Sequence, residues 1–469
     1  MTGLGPILRA IRMGGHYRSS TGQDDKSNPS ATRQLTLWTP TALVTLLLIA
    51  AGCSTGAGEY TPAGIGFVLA AVIIAIGGVA LSGRWGGLPV PSRLWVVVAC
   101  VCAALNGMPA LLTSNVAIGA AAIVFLVASV LALCLLPLRG HTWIAAELGV
   151  GANIVLAAAK WHWGKAGMDV FWFTQGATAQ LLAGHNPYAA VYRTITPNLP
   201  TAHFPYGPGV LMWTTAFRAL GDVRLGNLVA MIAIYVGILL LADRSGGARH
   251  AGRCLGLMLA TPFAATMIVN AWPEVYPVVG IVWWLVWREK RPRWSICALG
   301  VGLAAVPTAA PLLVLPWLWW RRPRWEISLA ALLALVLALP FALWAGPRAF
   351  VADTIGVQVG LGLRPDALSL NGLLLHLGAA ALPGAFGVVL VIVVLVALAT
   401  RGQRDWGSAL GLGAGVTLVA FFLAKWAFFD YYFIVVVGLI LALSVGGGTA
   451  RDAHGVGELG VRKSAPVAR

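Results

Sequence analysis

The sequence predicts an all-α polytopic membrane protein, and three observations carry that expectation. Of 469 residues, 59% are apolar and only 10% are charged, well short of the ~25% charged residues of an ordinary soluble domain. Apolar runs recur almost end to end, at lengths near the ~20 residues a helix needs to cross a bilayer. Short basic clusters separate the runs, as in cytoplasmic loops. Helices satisfy their own backbone groups in lipid, so the runs resolve into about 12 full spans plus one re-entrant or short hairpin.

Taken in order, residues 1–35 are polar, carry Arg9, Arg12, Arg18, Lys26 and Arg33 against Asp24 and Asp25, end in Ser/Asn/Pro-rich sequence, and read as a disordered cytoplasmic tail. Residues 36–140 hold four N-terminal transmembrane helices, with apolar cores at 43–51, 64–81, 94–105 and 117–136. A module over 141–290 opens on a fifth run at 144–159. Residues 291–447 form a C-terminal transmembrane region, and 448–469 a second cytoplasmic tail. With the N-terminal tail inside, parity places the loop at 54–62 outside, Arg84 and Arg93 inside, Asn115 outside and Arg139 inside. The fifth run then delivers Asp169 to the outer face.

The stretch 207–220 decides the remaining orientation. If it crossed, the clusters Arg244, Arg249, Arg253 and Arg288, Lys290, Arg291, Arg293 would both fall outside. Short and rich in Gly and Pro, it is read as interfacial or re-entrant, which keeps both clusters inside. The apolar hairpin at 295–320 is broken at Val306, Pro307 and Pro311 and has basic flanks, so it enters and returns on one side.

The net charge of +16 is spent on these loops rather than on a soluble basic face, so no nucleic-acid partner is expected. The six cysteines lie in or beside apolar runs without metal-ligand spacing and read as small buried hydrophobes. "LLIAAGCS" around Cys53 faintly resembles a lipoprotein cleavage box, with an ordinary first span as the preferred reading. There is no internal repeat and no Gly-rich nucleotide loop, and neither a metal nor a cofactor is expected.

On this topology the outer face collects most of the chemistry-bearing side chains. One long loop holds Lys160, His162, Lys165, Asp169, His185, Asn186, Tyr188, Arg193, His203 and Tyr206. Glu274 and Tyr276 come from a second; Asp353, Gln358, Arg364, Asp366, Ser369, Asn371 and His376 from a third; Lys425, Asp430, Tyr431 and Tyr432 from a fourth. Outside the cell, activated sugars are carried on lipids rather than nucleotides. Transfer from a polyprenyl phosphate needs a carboxylate to take the acceptor proton, worth ~10²–10⁴ in rate. It also needs cations to stabilise the departing phosphate. Asp169 suits the first role; Arg364, His376 and Lys425 suit the second. Each has a plainer reading: Asp169 and Glu274 as helix N-terminal acids, Arg364 as a headgroup anchor, His376 as a packed histidine, Lys425 as a snorkelling lysine.

The stretches "DVFWFTQGATAQLLAGHNPY" and "FPYGPG" resemble the first outer loop of GT-C glycosyltransferases, especially glycosyltransferase family 87. "RPDALSLNGLL" and "KWAFFDYYF" resemble that family's late loops. The resemblance spans roughly 144–432 in layout. It implies an inverting transferase that moves mannose or arabinofuranose from a polyprenyl-phosphate-linked sugar donor to an outer-face glycolipid or cell-envelope glycan, among membrane lipids, with Asp169 as base. Glu274, His185, Tyr206, Asn371 and Tyr431 are the expected acceptor- and sugar-binding residues, and no metal is implied. The chain departs from the pattern at Tyr206-Gly207-Pro208, where Tyr-Pro-Pro is common, at Val306-Pro307, where Lys-Pro is common, and at Asp430, where Asn is common. The competing function is a transporter or flippase for a lipid-linked sugar, which calls for inverted repeats and mid-span charges. A third is a non-catalytic assembly partner, which tolerates loss of Asp169.

Overall fold

A computed structural model describes residues 29–55, 59–81, 92–111, 116–159, 161, 168–193, 201–262, 264–357, 362–401 and 405–446. Lys160, His162, Lys165 and Gln358 lie outside the described residues, as do Arg84 and Asn115. So do residues 1–28 of the expected N-terminal tail and the whole of the C-terminal one. Among the described residues the chain is helical apart from one two-residue ribbon.

The N-terminal part comprises α1 (Pro29–Thr55), α2 (Pro62–Leu81), α3 (Ser92–Leu111) and α4 (Val116–Leu135), followed by α5 (Thr142–Ala159). α1 starts inside the stretch expected to be tail. Consecutive helices pack as pairs, α1 on α2, α3 on α4 and α4 on α5. The interior is apolar, so its few polar groups pair across helices: Asn106 Nδ2 donates to Asn153 Oδ1 (3.0 Å), and Asn153 Nδ2 donates to the Leu259 carbonyl (3.0 Å).

Next come α6 (Asp169–Leu182), the antiparallel ribbon β1 (Tyr192–Arg193) and β2 (Thr201–Ala202), and α7 (Pro208–Ala219). At 1.5 Å per residue the 12 residues of α7 reach only about 18 Å, short of a hydrocarbon core of ~30 Å.

α8 (Arg224–Ala260) is two helical halves meeting at a kink, and the kink falls within the basic stretch 244–253, where a break between spans 226–242 and 254–270 is expected from sequence. Its helical dihedrals fail only at Gly247 (φ 71°, ψ −173°). The second half stops at Thr261, before Pro262, and resumes as α9 (Ala264–Val269).

α10 (Val275–Trp287) leads to the proline-broken hairpin, which divides into α11 (Pro292–Ala305), a 3₁₀ turn (Pro307–Ala309) and α12 (Pro311–Trp319). α13 (Arg321–Ala345) shows most of its apolar surface outward. α14 (Pro347–Val351), a π turn (Ala352–Gly356), α15 (Leu370–His376), α16 (Gly384–Arg401), α17 (Trp406–Leu423) and α18 (Phe429–Gly446) complete the chain. α18 packs against α17, α8 and α1, and α17 also touches α2, so the N-terminal hairpin sits on the C-terminal helices.

Six helices (α4, α5, α8, α13, α17 and α18) are long and apolar enough to cross a membrane, and four shorter apolar helices accompany them among the described residues. The architecture is that of an all-α polytopic membrane protein. The figure of about 12 crossings stands as an expectation from the apolar runs.

Candidate functional site

Asp169 opens α6, half-buried in its first turn behind an extended Met168. Its negative charge there suits the helix N-terminus, and it has neighbouring partners of its own. The far end of α6 closes in a Schellman arrangement: His185 N–H donates to the Gln180 carbonyl (2.9 Å) and Gly184 N–H to that of Leu181 (3.0 Å). The position demands φ 77° at Gly184, which a side chain opposes. Asn186 Oδ1 then accepts from Tyr188 N–H (2.9 Å), turning the chain.

That turn joins the two stretches that carry the family resemblance. The buried Tyr188 donates its hydroxyl to the Tyr206 carbonyl (2.9 Å) and packs against Phe204 and Phe350. Tyr192 donates to the Pro187 carbonyl (2.6 Å). The departure at Gly207 has a local cause. Gly207 N–H donates to the Ala305 carbonyl (2.9 Å), and an added Cβ would overlap the Ala304 carbonyl. Proline lacks that hydrogen and carries that carbon.

A buried ion pair, not anticipated from sequence, packs against Phe171 in the first turn of α6. Arg224 gives Nε to both oxygens of Asp222 (3.0 Å each) and Nη2 to Oδ2 (2.5 Å), and both side chains are 0% exposed. The guanidinium lies over the rings of Trp161 (4.3 Å) and Phe171 (4.7 Å). The readable signal was an opposite-charge pair two residues apart, in "GDVRLGN", at the mouth of an apolar run.

Glu274 and Asp430 are both buried, 3% and 1% exposed, the first just before α10 and the second in the first turn of α18. Trp272 and Phe429 meet edge to face at 5.6 Å and bring those segments together. Asn227 holds the turn before Glu274, donating to the carbonyls of Met267 (3.0 Å) and Trp272 (2.8 Å). Ala271 in that turn takes a left-handed φ of 57°, a strained setting for a non-glycine residue. Glu274 Oε2 and both Asp430 oxygens lack a hydrogen-bond partner among the described residues. Burial pushes the Glu274 carboxyl above its ordinary range. The Tyr206 phenol is likewise pushed up, first by burial and then by Glu274, Tyr431, Asp430 and Asp169, which all lie within electrostatic range of it. Residues from four separate segments therefore share one neighbourhood. Asp430 belongs to it although the sequence reading did not select it.

The third loop lies alongside, with Asp169 within electrostatic range of Arg364. Arg364 is engaged two-pronged by Asp366, Nε to Oδ1 at 2.7 Å and Nη2 to Oδ2, and stacks near Trp426 and Phe428. This bond raises Arg364 and holds the Asp366 carboxyl below its usual value. It offsets much of the charge assigned to phosphate, while leaving the Nη1 hydrogens for another acceptor. Asn371 is buried and ties loops together, donating to the carbonyl of Leu423 (3.2 Å) and accepting from Leu382 N–H (2.9 Å). Tyr432 donates to the Leu368 carbonyl (2.6 Å), fastening the fourth loop to the third. Lys425 is half-buried and engaged. His376 is exposed, with Nδ1 on the Gly372 carbonyl (2.9 Å). His185 is also exposed and bound to Gln180 (3.0 Å). It stands at the opposite end of α6 from Asp169, roughly 20 Å away by helix rise, and is not brought into the group. Among the described residues no three His, Cys, Asp or Glu side chains converge as a metal site.

No family model and no curated protein matches the chain. A solved structure with detectable similarity is the crystal structure of ArnT from Cupriavidus metallidurans bound to undecaprenyl phosphate. It is 17% identical, with a TM-score of 0.44 over 67% of this chain and 61% of that chain. The match spans less than two thirds of that protein, and likeness at this level assigns neither a fold family nor an activity.

Proposed function

We propose that the chain is a GT-C-type membrane glycosyltransferase of the cell membrane, working on the extracytoplasmic face. It moves a sugar, mannose or arabinofuranose, from a polyprenyl-phosphate carrier to a glycolipid or envelope glycan. The observation that supports this reading best is the convergence around Tyr206. Asp169, Glu274 and the adjacent Asp430 and Tyr431 arrive there from three separate segments, with the Arg364 loop alongside.

In this mechanism Asp169 accepts the proton of the acceptor hydroxyl as its oxygen forms a bond to the anomeric carbon. The bond from that carbon to the phosphate oxygen breaks on the opposite side, inverting the centre, and the electron pair leaves with polyprenyl phosphate. Arg364 through its remaining hydrogens, His376 and Lys425 meet the departing phosphate. Glu274, Tyr206, Asp430 and Tyr431 receive sugar hydroxyls, which supply the donors that the buried carboxylates lack.

The test is a reconstituted assay with polyprenyl-phosphate mannose and polyprenyl-phosphate arabinose in parallel. Asp169→Asn is expected to lower turnover by about 10²–10⁴ while insertion and donor-lipid binding persist. Substantial residual turnover would remove the base assignment, and consumption of neither donor would remove the function.

A further inference from the structure

We infer that the outer turn of the first hairpin, at Glu59 and Tyr60, forms part of the donor-phosphate wall, with Tyr60 as a positioning residue for His376. The inference rests on the transferase reading above. Tyr60 follows α1 and precedes α2, far in sequence from the loop at 364–376, yet it grips that loop twice. Its backbone N–H donates to the Asp366 carbonyl (2.8 Å). Its ring stacks on His376 with centroids 3.8 Å apart and planes 10° from parallel. One residue thus reaches two of the three groups assigned to the phosphate, His376 directly and Arg364 through the residue whose carboxylate holds it. The Glu59 carboxylate also lies within electrostatic range of Arg364.

The turn is itself held firmly. Thr61 Oγ1 accepts from Gly64 N–H (2.9 Å) and meets Thr55 Oγ1 at 3.1 Å. α1 and α2 rest on α18 and α17, the helices whose outer ends carry Tyr431 and flank Lys425. A stacked phenol fixes the plane of an otherwise exposed imidazole. With Nδ1 on the Gly372 carbonyl, the remaining Nε2 is the edge left for an anionic oxygen. The N-terminal helices then complete the site rather than merely preceding it, and the ligand they help to hold is a lipid phosphate.

The experiment uses the full chain in proteoliposomes and follows two readouts. These are KM and kcat for donor and acceptor, and thermal stabilisation by undecaprenyl phosphate. Tyr60→Ala is expected to raise donor KM by roughly threefold to tenfold, the scale of one aromatic stack. Acceptor KM should stay unchanged, and Tyr60→Phe, which keeps the stack, should restore the donor value. In a His376→Ala background, Tyr60→Ala should add nothing. A loss shared equally by donor and acceptor, no loss at all, or additive effects of the two substitutions would overturn the inference. If the wild-type chain uses no polyprenyl-phosphate sugar but Tyr60→Ala still weakens stabilisation by undecaprenyl phosphate, the transferase reading fails and this contact stands. If transfer is Asp169-dependent and Tyr60→Ala is silent, this inference alone fails.

Discussion

The Asp222–Arg224 pair gives the sharpest stability prediction. Both side chains are fully buried, the carboxylate takes three guanidinium contacts at 2.5–3.0 Å, and Trp161 and Phe171 cover the cation. Asp222→Asn takes the paired carboxylate charge away from the cation in that aromatic box, and Arg224→Met removes the guanidinium that the buried Asp222 carboxylate binds. Each is expected to cost about 3–5 kcal/mol, roughly two to three and a half powers of ten in the folded-to-unfolded ratio. The double variant removes both charges and should recover most of the loss. Unfolding in mixed micelles by added SDS, followed by tryptophan fluorescence, measures all four corners of the cycle. Single costs under about 1 kcal/mol, the range of a solvated surface pair, would refute the argument; so would a double cost equal to the sum of the singles. Phe171 lies one helical half-turn beyond Asp169, so transferase activity should fall with stability in the single variants.

Gly207→Ala should destabilise by about 1–3 kcal/mol, because the obstructing atom is the Ala304 backbone and not a flexible side chain; Gly207→Pro should be worse, and the same unfolding assay ranks them. Burial raises the Glu274 carboxyl in the folded state, so its contribution to stability is complete below the unfolded value and is lost as pH rises towards the folded one. Wild type should therefore lose stability on that rise relative to Glu274→Gln, and parallel slopes would count against the assignment. Reporter fusions should place residue 180 outside and residue 290 inside, and the reverse orientation would remove the extracytoplasmic site.

Hydropathy made the helices legible, and proline made the breaks legible. The interruption at Val306 and Pro307 and the short α7 follow from composition and length alone. The turn at 184–188 was readable for the same reason, since glycine, asparagine and proline act locally. The break in the basic segment at 244–253 was legible too, although helix runs into that segment from both sides and the chain departs from it only at Gly247. Partnerships across the chain were the hidden part. A soluble helix declares its packed face by a polar opposite face, but α2, α17 and α18 are apolar nearly all round and carry no such mark. Nothing local announces that Tyr60 meets His376, or that Trp272 meets Phe429 and so gathers Glu274 with Asp430. The neighbourhood of Asp169 could be guessed by motif, while the loss of free charge on Arg364 to Asp366 and the remoteness of His185 required coordinates.

The contact between Gly207 and Ala305 has a mechanical meaning. α11 ends where Pro307 begins a new turn, so the Ala305 carbonyl has no continuing helix to bind it. Gly207 N–H fills that vacancy, and the next residue back is Tyr206. The break in the hairpin and the residue at the centre of the candidate site are thus coupled by a single bond, like a latch on a door frame. Any tilt of α11 against α12 must either drag Tyr206 with it or unfasten the latch, so the position of Tyr206 and the hairpin's angle form one degree of freedom.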